Sequence, residues 1–200
     1  MTETNAEDIR ICFVGDSFVN GTEDETALGW AGRLCAAAMA KGVPLTYYNL
    51  GIRRETTADI LLRWEKECRC RLPKFCDGRI VFSCGVNDVT EENGKPRVEH
   101  NASCSNLREI LVEGRKYPSI LVGPPPVDDD MLNDRIERLS KSFADIAESL
   151  DVPYIELYSS LIGDKVYRSE VAKQEGSHPR SGGYKKIAKI IAASPAWWFR

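Results

Sequence analysis

Short apolar runs alternate with longer amphipathic segments along the whole chain. The short runs are rich in Val, Ile, Leu and aromatic residues, which is typical of strands buried on both faces of a sheet. Several of them end at a glycine or a proline, where a strand commonly stops. The pattern predicts five strands, at Ile9–Val14, Leu45–Leu50, Arg79–Cys84, Ser119–Val122 and Val152–Leu157.

The segments between these strands place apolar residues three and four positions apart, which is the spacing of one helical face. Five helices are predicted on this spacing, with apolar faces that begin at Leu28, Ile60, Leu107, Leu132 and Tyr184. The third of them is expected to be short and to stop near Gly114. Thr56 and Asp59 can form a capping box for the second helix, and Ser181 is expected to cap the last one.

Five strands that alternate with five helices predict an α/β fold. Such a chain forms a three-layer α/β/α sandwich, in which a five-stranded parallel sheet is covered by helices on both faces. No repeat, low-complexity tract or linker divides residues 1–200, so one domain is expected. Open parallel sheets bind ligands beyond the carboxyl ends of their strands. The residues that follow each strand are therefore the ones that bear on function.

Composition excludes several classes of protein. The 27 basic and 30 acidic residues leave a net charge of −3, which argues against a nucleic-acid partner. No apolar run reaches the roughly 20 residues of a membrane span. The first eight residues lack the basic and apolar regions of a signal peptide. The seven cysteines are an odd number, and several lie in apolar runs, so a reduced, cytoplasmic protein is expected.

Three short segments allow competing interpretations. Cys68, Cys70 and Cys76 lack the spacing of a zinc knuckle, so they are interpreted as ordinary thiols, and no metal is expected. Asp128–Asp130 could suggest a metal site, but they precede the helix with the strongest periodic signal, where acidic residues interact favourably with the helix dipole. The apolar tail Ala196–Phe199 could join two subunits or touch a membrane, but packing on the domain is the default expectation.

The residue types that acyl transfer requires follow the predicted strands. Ser17 comes after the first strand, Gly51 after the second and Asn87 after the third, while His178 precedes the last helix. A serine hydroxyl is a weak nucleophile unless a base lies beside it, and the pKa of histidine suits that task. A glycine N–H and an asparagine amide are suitable donors for a tetrahedral oxyanion.

Only two histidines are available for the role of base. His178 is followed by Pro179 and lies in a constrained loop that leads into a helix, which favours a catalytic role. His100 lies at the start of a helix beside polar residues, and it is expected to be solvated.

The chain resembles the SGNH hydrolases, also called GDSL esterases and lipases. Four short blocks occur in the family's order between residue 13 and about residue 184: Gly15-Asp16-Ser17, Gly51 within Asn-Leu-Gly, Gly85-Val86-Asn87-Asp88, and His178-Pro179. The resemblance implies a flavodoxin-like fold with strand order 2-1-3-4-5. That order places the ends of the first and third strands beside the switch point of the sheet.

The resemblance also implies roles for the matching residues. Ser17 is expected to be the nucleophile and His178 the base. The oxyanion hole is expected to combine the N–H groups of Ser17 and Gly51 with the side-chain amide of Asn87. The family usually has Asp three residues before the histidine, where this chain has Glu175. Ser-His-Glu triads are workable chemistry, so Glu175 is expected to be the acid of the triad.

These roles imply a serine hydrolase that needs no cofactor or metal and acts on a small-molecule ester. Small carboxylic esters, thioesters and acetylated sugars are the expected substrates, and the Val89–Glu99 segment is expected to border their pocket. One alternative is a binding module whose Gly15–Thr22 loop cradles a phosphate or a flavin with its N–H groups. Another is an inactive hydrolase-like scaffold, for which Glu175 is the only hint. The sequence leaves the oligomeric state open.

Overall fold

The computed structural model describes residues 5–200, and its centre is a five-stranded parallel sheet. The strands are β1 (Asn5–Gly15), β2 (Leu45–Gly51), β3 (Cys76–Ser83), β4 (Glu91–Glu92), β5 (Lys95–Pro96), β6 (Ser119–Val122) and β7 (Tyr154–Ile155). The central sheet has the order β2-β1-β3-β6-β7, whereas β4 and β5 form a separate antiparallel pair. This confirms the predicted α/β class and the strand order that the family resemblance implied.

The three strands that matter for the site end at the same level. Gly15 at the end of β1 is paired in register with Gly51 on β2 and with Ser83 on β3. Because all three strands are parallel, the segments that follow them leave the sheet at one edge. The last strand is shorter than predicted, since only Tyr154 and Ile155 pair, with Leu121 and Val122 of β6.

Helices cover both faces of the sheet. They are α1 (Ser17–Asn20), α2 (Gly29–Ala40), α3 (Thr57–Arg71), α4 (Val86–Val89), α5 (His100–Gly114), α6 (Asp130–Ser149), α7 (Tyr158–Ile162), α8 (Lys165–Lys173) and α9 (Ser181–Ala193). The prediction that α5 is short is wrong, because it extends over 15 residues. Helices α7 and α8 were not predicted. Asp164 caps α8 by accepting the N–H groups of Val166 and Tyr167, and Tyr167 is fully buried.

The core has two halves, one on each face of the sheet. Alternate side chains of a strand point to opposite faces, so Cys12 and Val14 of β1 belong to one half and Ile11 and Phe13 to the other. All four are completely buried. One half contains residues of α3, α5 and α6, and the other contains residues of α2, α8 and α9. Burial on both faces explains why β1 is a nearly continuous apolar run.

The predicted caps have two different outcomes. The capping box of α3 is confirmed, since Asp59 accepts the Thr56 N–H at 2.9 Å and Thr56 accepts the Asp59 N–H at 3.4 Å. The expectation that Ser181 caps α9 is wrong. Ser181 is the first residue of α9, and its hydroxyl donates to Glu25. Carboxylates from elsewhere accept the first N–H groups instead: Glu25 accepts that of Ser181, and Glu170 accepts those of Arg180 and Gly183.

The C-terminal residues pack against the domain, as expected. Trp197 is buried in the half of the core that contains α9, and the Arg79 guanidinium lies over the rings of Trp198 and Phe199. Among the helices of residues 5–200, none combines the length and the apolar character that a membrane crossing requires.

Candidate active site

The turn after β1 holds Ser17 in a buried position. A side chain on Gly15 is excluded, because a Cβ there would lie 2.0 Å from the Ser83 carbonyl oxygen. Asp16 follows in an extended conformation, and its carboxylate accepts the Phe18 N–H at 2.9 Å, which caps α1. Ser17 is the first residue of α1 and is only 4% exposed. Asp16 therefore anchors the turn, as the sequence indicated.

Ser17, His178 and Glu175 form one hydrogen-bonded chain. The Ser17 hydroxyl lies 2.7 Å from Nε2 of His178, across 161 positions of sequence. Nδ1 of His178 is hydrogen-bonded to Oε1 of Glu175. With the Nδ1 proton donated to the carboxylate, the unprotonated Nε2 can accept the serine proton. The structure thus brings together the three residues that the sequence selected, in the order Ser-His-Glu.

The environment of His178 keeps its imidazole neutral. The side chain is almost buried and packs against the Phe18 ring, with the ring centroids 4.9 Å apart. Burial lowers the pKa of His178 below its usual range, and it outweighs the opposite effect of the Glu175 carboxylate. The Arg53 guanidinium also lowers this pKa. A neutral imidazole near pH 7 is the form that a general base requires.

Glu175 is the most exposed of the three hydrogen-bonded residues. It lies between α8 and α9, next to Gly176 at φ +83°, and its side chain is 46% exposed. The Gly176 carbonyl oxygen accepts the Asp128 N–H at 2.7 Å, which ties the loop to the start of α6. The extra methylene of glutamate does not prevent contact with His178. A glutamate at this position is therefore compatible with the contact that a triad requires.

Asn87 follows β3 and lies near the pair formed by Ser17 and His178. Gly85 adopts φ +120° and leads into α4, which contains Asn87. The Asn87 amide nitrogen donates to the Glu55 carbonyl oxygen at 3.0 Å and to Asp16 Oδ2 at 3.3 Å. These bonds fix the amide between the loops that follow β1 and β2. The neighbouring Asp88 is completely buried and accepts the Ser103 hydroxyl at 2.8 Å.

Burial also affects Asp16, which shares a hydrogen bond with Asn87. It raises the pKa of Asp16 to about 7, and the nearby Asp88 and Glu55 carboxylates add to this effect. The Phe18 N–H acts in the opposite direction. The Asp16 carboxyl group caps α1 and accepts the Asn87 amide, so it positions groups around Ser17.

A cavity of about 220 Å³ lies over Ser17 and His178. Its lining comes from the segments that follow β1, β2, β3 and β6 and from the loop between α8 and α9. The lining residues are Ser17, Phe18, Arg53, Arg54, Val86, Asn87, Thr90, Val127, Leu132, Glu175, Ser177 and His178. Thr90 belongs to the Val89–Glu99 segment, whose remaining residues include β4 and β5. That segment was predicted to border the pocket, and Thr90 does so.

Gly51 does not line this cavity. Its N–H donates to Oδ1 of Asn49 at 3.0 Å, and the Asn49 amide in turn donates to the Val19 carbonyl oxygen. The absence of a side chain has a packing reason, because a Cβ on Gly51 would lie 2.2 Å from the Asn20 nitrogen. The geometry therefore does not support the expected role of Gly51 as an oxyanion donor, since its N–H already has an acceptor.

Arg54 occupies a position that sequence reasoning missed. It lines the cavity and adopts φ +67°, a conformation that L-residues rarely take. Its carbonyl oxygen accepts a hydrogen bond from Arg97 at 2.6 Å. Its own N–H forms no hydrogen bond within residues 5–200. A positive φ at an arginine has no signature in the sequence, so this donor could not have been predicted.

Other expected features lie outside the cavity or have a different role. His100 is half-buried, not solvated as expected, because its Nε2 lies 3.1 Å from the Ser142 hydroxyl of α6. All seven cysteines are free thiols.

Among the residues that the structure describes, no group of three or more His, Cys, Asp or Glu side chains is placed to hold a metal ion. Asp129 caps α6 by accepting the Leu132 N–H.

The Gly15–Thr22 loop is poorly suited to cradle a phosphate or a flavin. The Phe18 N–H is bound by the Asp16 carboxylate, and the N–H groups of Asn20, Gly21 and Thr22 donate to backbone carbonyl oxygens of the same loop. A phosphate would find these donors already occupied and a buried carboxyl group beside them. The alternative of a phosphate-binding or flavin-binding module therefore has no support in this geometry.

A serine that hydrogen-bonds to a carboxylate-oriented histidine, at the carboxyl edge of a flavodoxin-like sheet, is typical of serine esterases. The sequence model of the GDSL-like lipase/acylhydrolase family matches residues 13–186 of this chain. The chain belongs to this family, and it is an esterase or acylhydrolase that acts on carboxylic esters.

Solved structures support the fold. A lipase/acylhydrolase from Enterococcus faecalis is 24% identical and superimposes with a TM-score of 0.76 over 91% of this chain and 92% of its own. A catalytic mutant of an acetylxylan esterase from Geobacillus stearothermophilus is 17% identical, with a TM-score of 0.75 over 96% and 97%. A psychrotrophic esterase from Pseudoalteromonas sp., in a structure inhibited by monoethylphosphonate, is 16% identical, with a TM-score of 0.72 over 92% and 94%. A search of curated proteins finds no match.

Proposed function

We propose that the chain hydrolyses small carboxylic esters through an acyl-enzyme formed on Ser17. The observation that carries the proposal is the 2.7 Å hydrogen bond between the Ser17 hydroxyl and Nε2 of His178. Both side chains line the same cavity, so an ester carbonyl can reach the hydroxyl while the base is in place.

The reaction has two halves. In the first, Nε2 of His178 takes the Ser17 proton while Oγ attacks the carbonyl carbon, and the proton then passes to the departing alcohol oxygen. In the second, His178 takes a proton from water, the hydroxide attacks the acyl carbon, and the proton returns to Oγ as the acid is released. Glu175 keeps the imidazole in the required tautomer and stabilises the imidazolium that forms in each half.

Three donors are proposed for the oxyanion that forms in each half. The Ser17 N–H lies in the first turn of α1, where no intrahelical acceptor is available. The Asn87 amide supplies a second donor when its longer bond, to Asp16, is exchanged for one to the oxyanion. The Arg54 N–H supplies the third, in place of Gly51. Because Asn87 donates to the carbonyl oxygen of Glu55, the residue after Arg54, the second and third donors are held close together.

The proposed substrates are esters with a short acyl group. A cavity of about 220 Å³ accommodates an acetyl group more readily than a long acyl chain. Acetylated sugars and thioesters are also proposed as substrates. The likeness to an acetylxylan esterase supports acetylated sugars. The cytoplasmic location stays a prediction from the cysteine content.

Labelling with a fluorophosphonate probe tests the proposal directly, since such probes phosphonylate an activated serine. We expect the wild-type chain to be labelled and to hydrolyse p-nitrophenyl acetate near pH 7.5, and the Ser17→Ala variant to do neither. An acyl-chain series from acetate to octanoate tests the expected preference for short chains. A wild-type chain that is neither labelled nor active would refute the acyl-enzyme mechanism.

A further inference from the structure

Arg53 differs from its arginine neighbours in lacking a close partner. It lines the catalytic cavity from the loop between β2 and α3, and its side chain is 56% exposed. Its nearest carboxylate oxygen, Oε1 of Glu175, is 3.9 Å away and is already hydrogen-bonded to His178. Within residues 5–200 the Arg53 guanidinium forms no hydrogen bond. Its donors therefore face the cavity region without an acceptor from the described chain.

The neighbouring arginines are satisfied. Arg54 is paired with Glu92 at 2.7 Å. Arg97 donates to the Arg54 carbonyl oxygen and also pairs with Glu92 at 3.3 Å. Arg63 binds both Glu55 and Glu67. Each of these guanidinium groups has a structural use within the fold, whereas none is evident for Arg53.

The charged groups around the cavity leave the Arg53 donors available to the substrate. Its charged lining residues are Arg53, Arg54 and Glu175, and Arg54 is paired with Glu92, which also pairs with Arg97. The Oε1 atom of the Glu175 carboxylate is hydrogen-bonded to the neutral His178 and lies 3.9 Å from Arg53, so the Arg53 donors beside the reacting atoms are left for another acceptor. A guanidinium presents a planar set of donors that matches a carboxylate or another oxyanion.

We infer that Arg53 binds an anionic group of the substrate, so that the preferred esters carry a carboxylate or a similar anion close to the ester bond. The inference rests on the proposed function, because it places the anion in the cavity above Ser17. The anion keeps its charge throughout the reaction, so Arg53 binds the ground state and the transition state alike. Its loss is therefore expected to raise KM much more than it lowers kcat.

The test compares esters that differ only in charge. We suggest 3- and 4-acetoxybenzoate, which carry a carboxylate, and the nearly isosteric neutral 3- and 4-acetoxybenzamide, measured at pH 8 so that His178 is deprotonated in every variant. In the wild type we expect kcat/KM to favour the anionic member of at least one pair. In Arg53→Gln we expect kcat/KM for the anionic ester to fall about tenfold more than kcat/KM for the neutral ester, which is the effect of one hydrogen bond to a charged group.

Two further variants separate this role from others. Arg108→Gln removes the same charge from α5, where Arg108 contacts Ser149 outside the cavity, and should leave the preference unchanged. Arg53→Lys should retain part of it. If Arg53 only holds Glu175 in place, Arg53→Gln will slow both esters equally, and that result would overturn the inference. An unchanged preference in Arg53→Gln would overturn it as well.

Binding distinguishes this inference from the proposed mechanism. The Ser17→Ala chain should bind the anionic benzoate more tightly than the neutral benzamide in ligand-observed NMR titrations, and addition of Arg53→Gln should abolish the difference. If the wild type hydrolyses none of these esters and resists the fluorophosphonate probe, the proposed function is wrong, and the binding result still decides the role of Arg53. If hydrolysis occurs but neither the preference nor the binding depends on Arg53, only the inference fails.

Discussion

The two loops that meet at His178 differ sharply in how they are held. Ser17 is 4% exposed, in a turn between a central strand and a capped helix, with the buried Asp16 beside it. The Glu175 side chain is 46% exposed, in a loop that follows the last turn of α8. His178 is buried between them, with one ring nitrogen bonded to each. The nucleophile is thus positioned by the core, and the acid by a surface loop.

This difference predicts where catalysis is sensitive. Charge interactions are strong where water is excluded and weak where solvent reaches them. Groups on the buried side, including Ser17, Asn87 and the imidazole itself, should therefore contribute most of the rate. Glu175 should contribute less than the buried carboxylate of a serine protease triad does. The predictions below test this ranking, beginning with the largest effect.

Removal of the base should have the largest effect. His178→Ala leaves Ser17 without a proton acceptor, and we expect kcat to fall about 10⁴-fold or more. The measurement is p-nitrophenyl acetate hydrolysis at pH 7.5. His100→Ala is the matched control, since that histidine contacts Ser142 outside the cavity, and its activity should stay within about twofold of the wild type. Comparable losses in both variants would contradict the site assignment.

Removal of the Asn87 amide should have the next largest effect. In Asn87→Ala one oxyanion donor is lost, and we expect kcat to fall about 10²- to 10³-fold with little change in KM. Steady-state kinetics on a short-chain ester measures this. Fluorophosphonate labelling should slow in parallel, because its transition state also places charge on an oxygen. A change confined to KM would show that Asn87 binds the substrate without stabilising the oxyanion.

Glu175 should matter less than either residue. We expect Glu175→Gln to lower kcat about 10- to 100-fold, below the roughly 10⁴-fold loss for a buried triad aspartate, because solvent partly replaces the exposed carboxylate. Glu175→Asp should retain more activity than Glu175→Ala. A loss as large as that of His178→Ala would show that exposure does not weaken the acid. No loss in any of the three variants would show that Glu175 is not part of the triad.

The smallest effects concern pH. Hydrolysis needs neutral His178, whose pKa lies below its usual value, so kcat/KM should rise with pH and have its midpoint below the usual histidine pKa of about 6.5. The Glu175 carboxylate raises this pKa, so Glu175→Gln should move the midpoint to lower pH. Arg53 lowers it, so Arg53→Gln should move the midpoint to higher pH. Shifts in the same direction for both variants would contradict the electrostatic arrangement of the two sides.

The parts of the site that the sequence predicts are those carried by strand ends. The residues after β1 and β3 could be located because a buried parallel strand is a continuous apolar run that stops at a small residue. His178 followed from a short choice, since the chain has only two histidines. Helix α3 followed from its capping box, which is a local signal.

The parts that the sequence does not reveal depend on tertiary contacts or on unusual backbone conformations. Gly51 is required by its close approach to α1, and a glycine needed for packing cannot be told from one that offers its N–H to a substrate. The positive φ of Arg54 leaves no mark on the residue type. The first N–H groups of α9 are satisfied by Glu25 and Glu170, which are ten or more residues away, so the local cap that the sequence suggested at Ser181 is not used.

The 161 positions between Ser17 and His178 have a consequence for synthesis of the chain on the ribosome. β1 lies just before the nucleophile and is made early, but it pairs with β3, which emerges some 70 residues later, and the base follows near the end. A nascent chain, or a fragment cleaved before the loop that precedes α9, carries an unactivated serine. Esterase activity therefore reports completed folding, and recovery of activity after dilution from urea should coincide with the docking of α9.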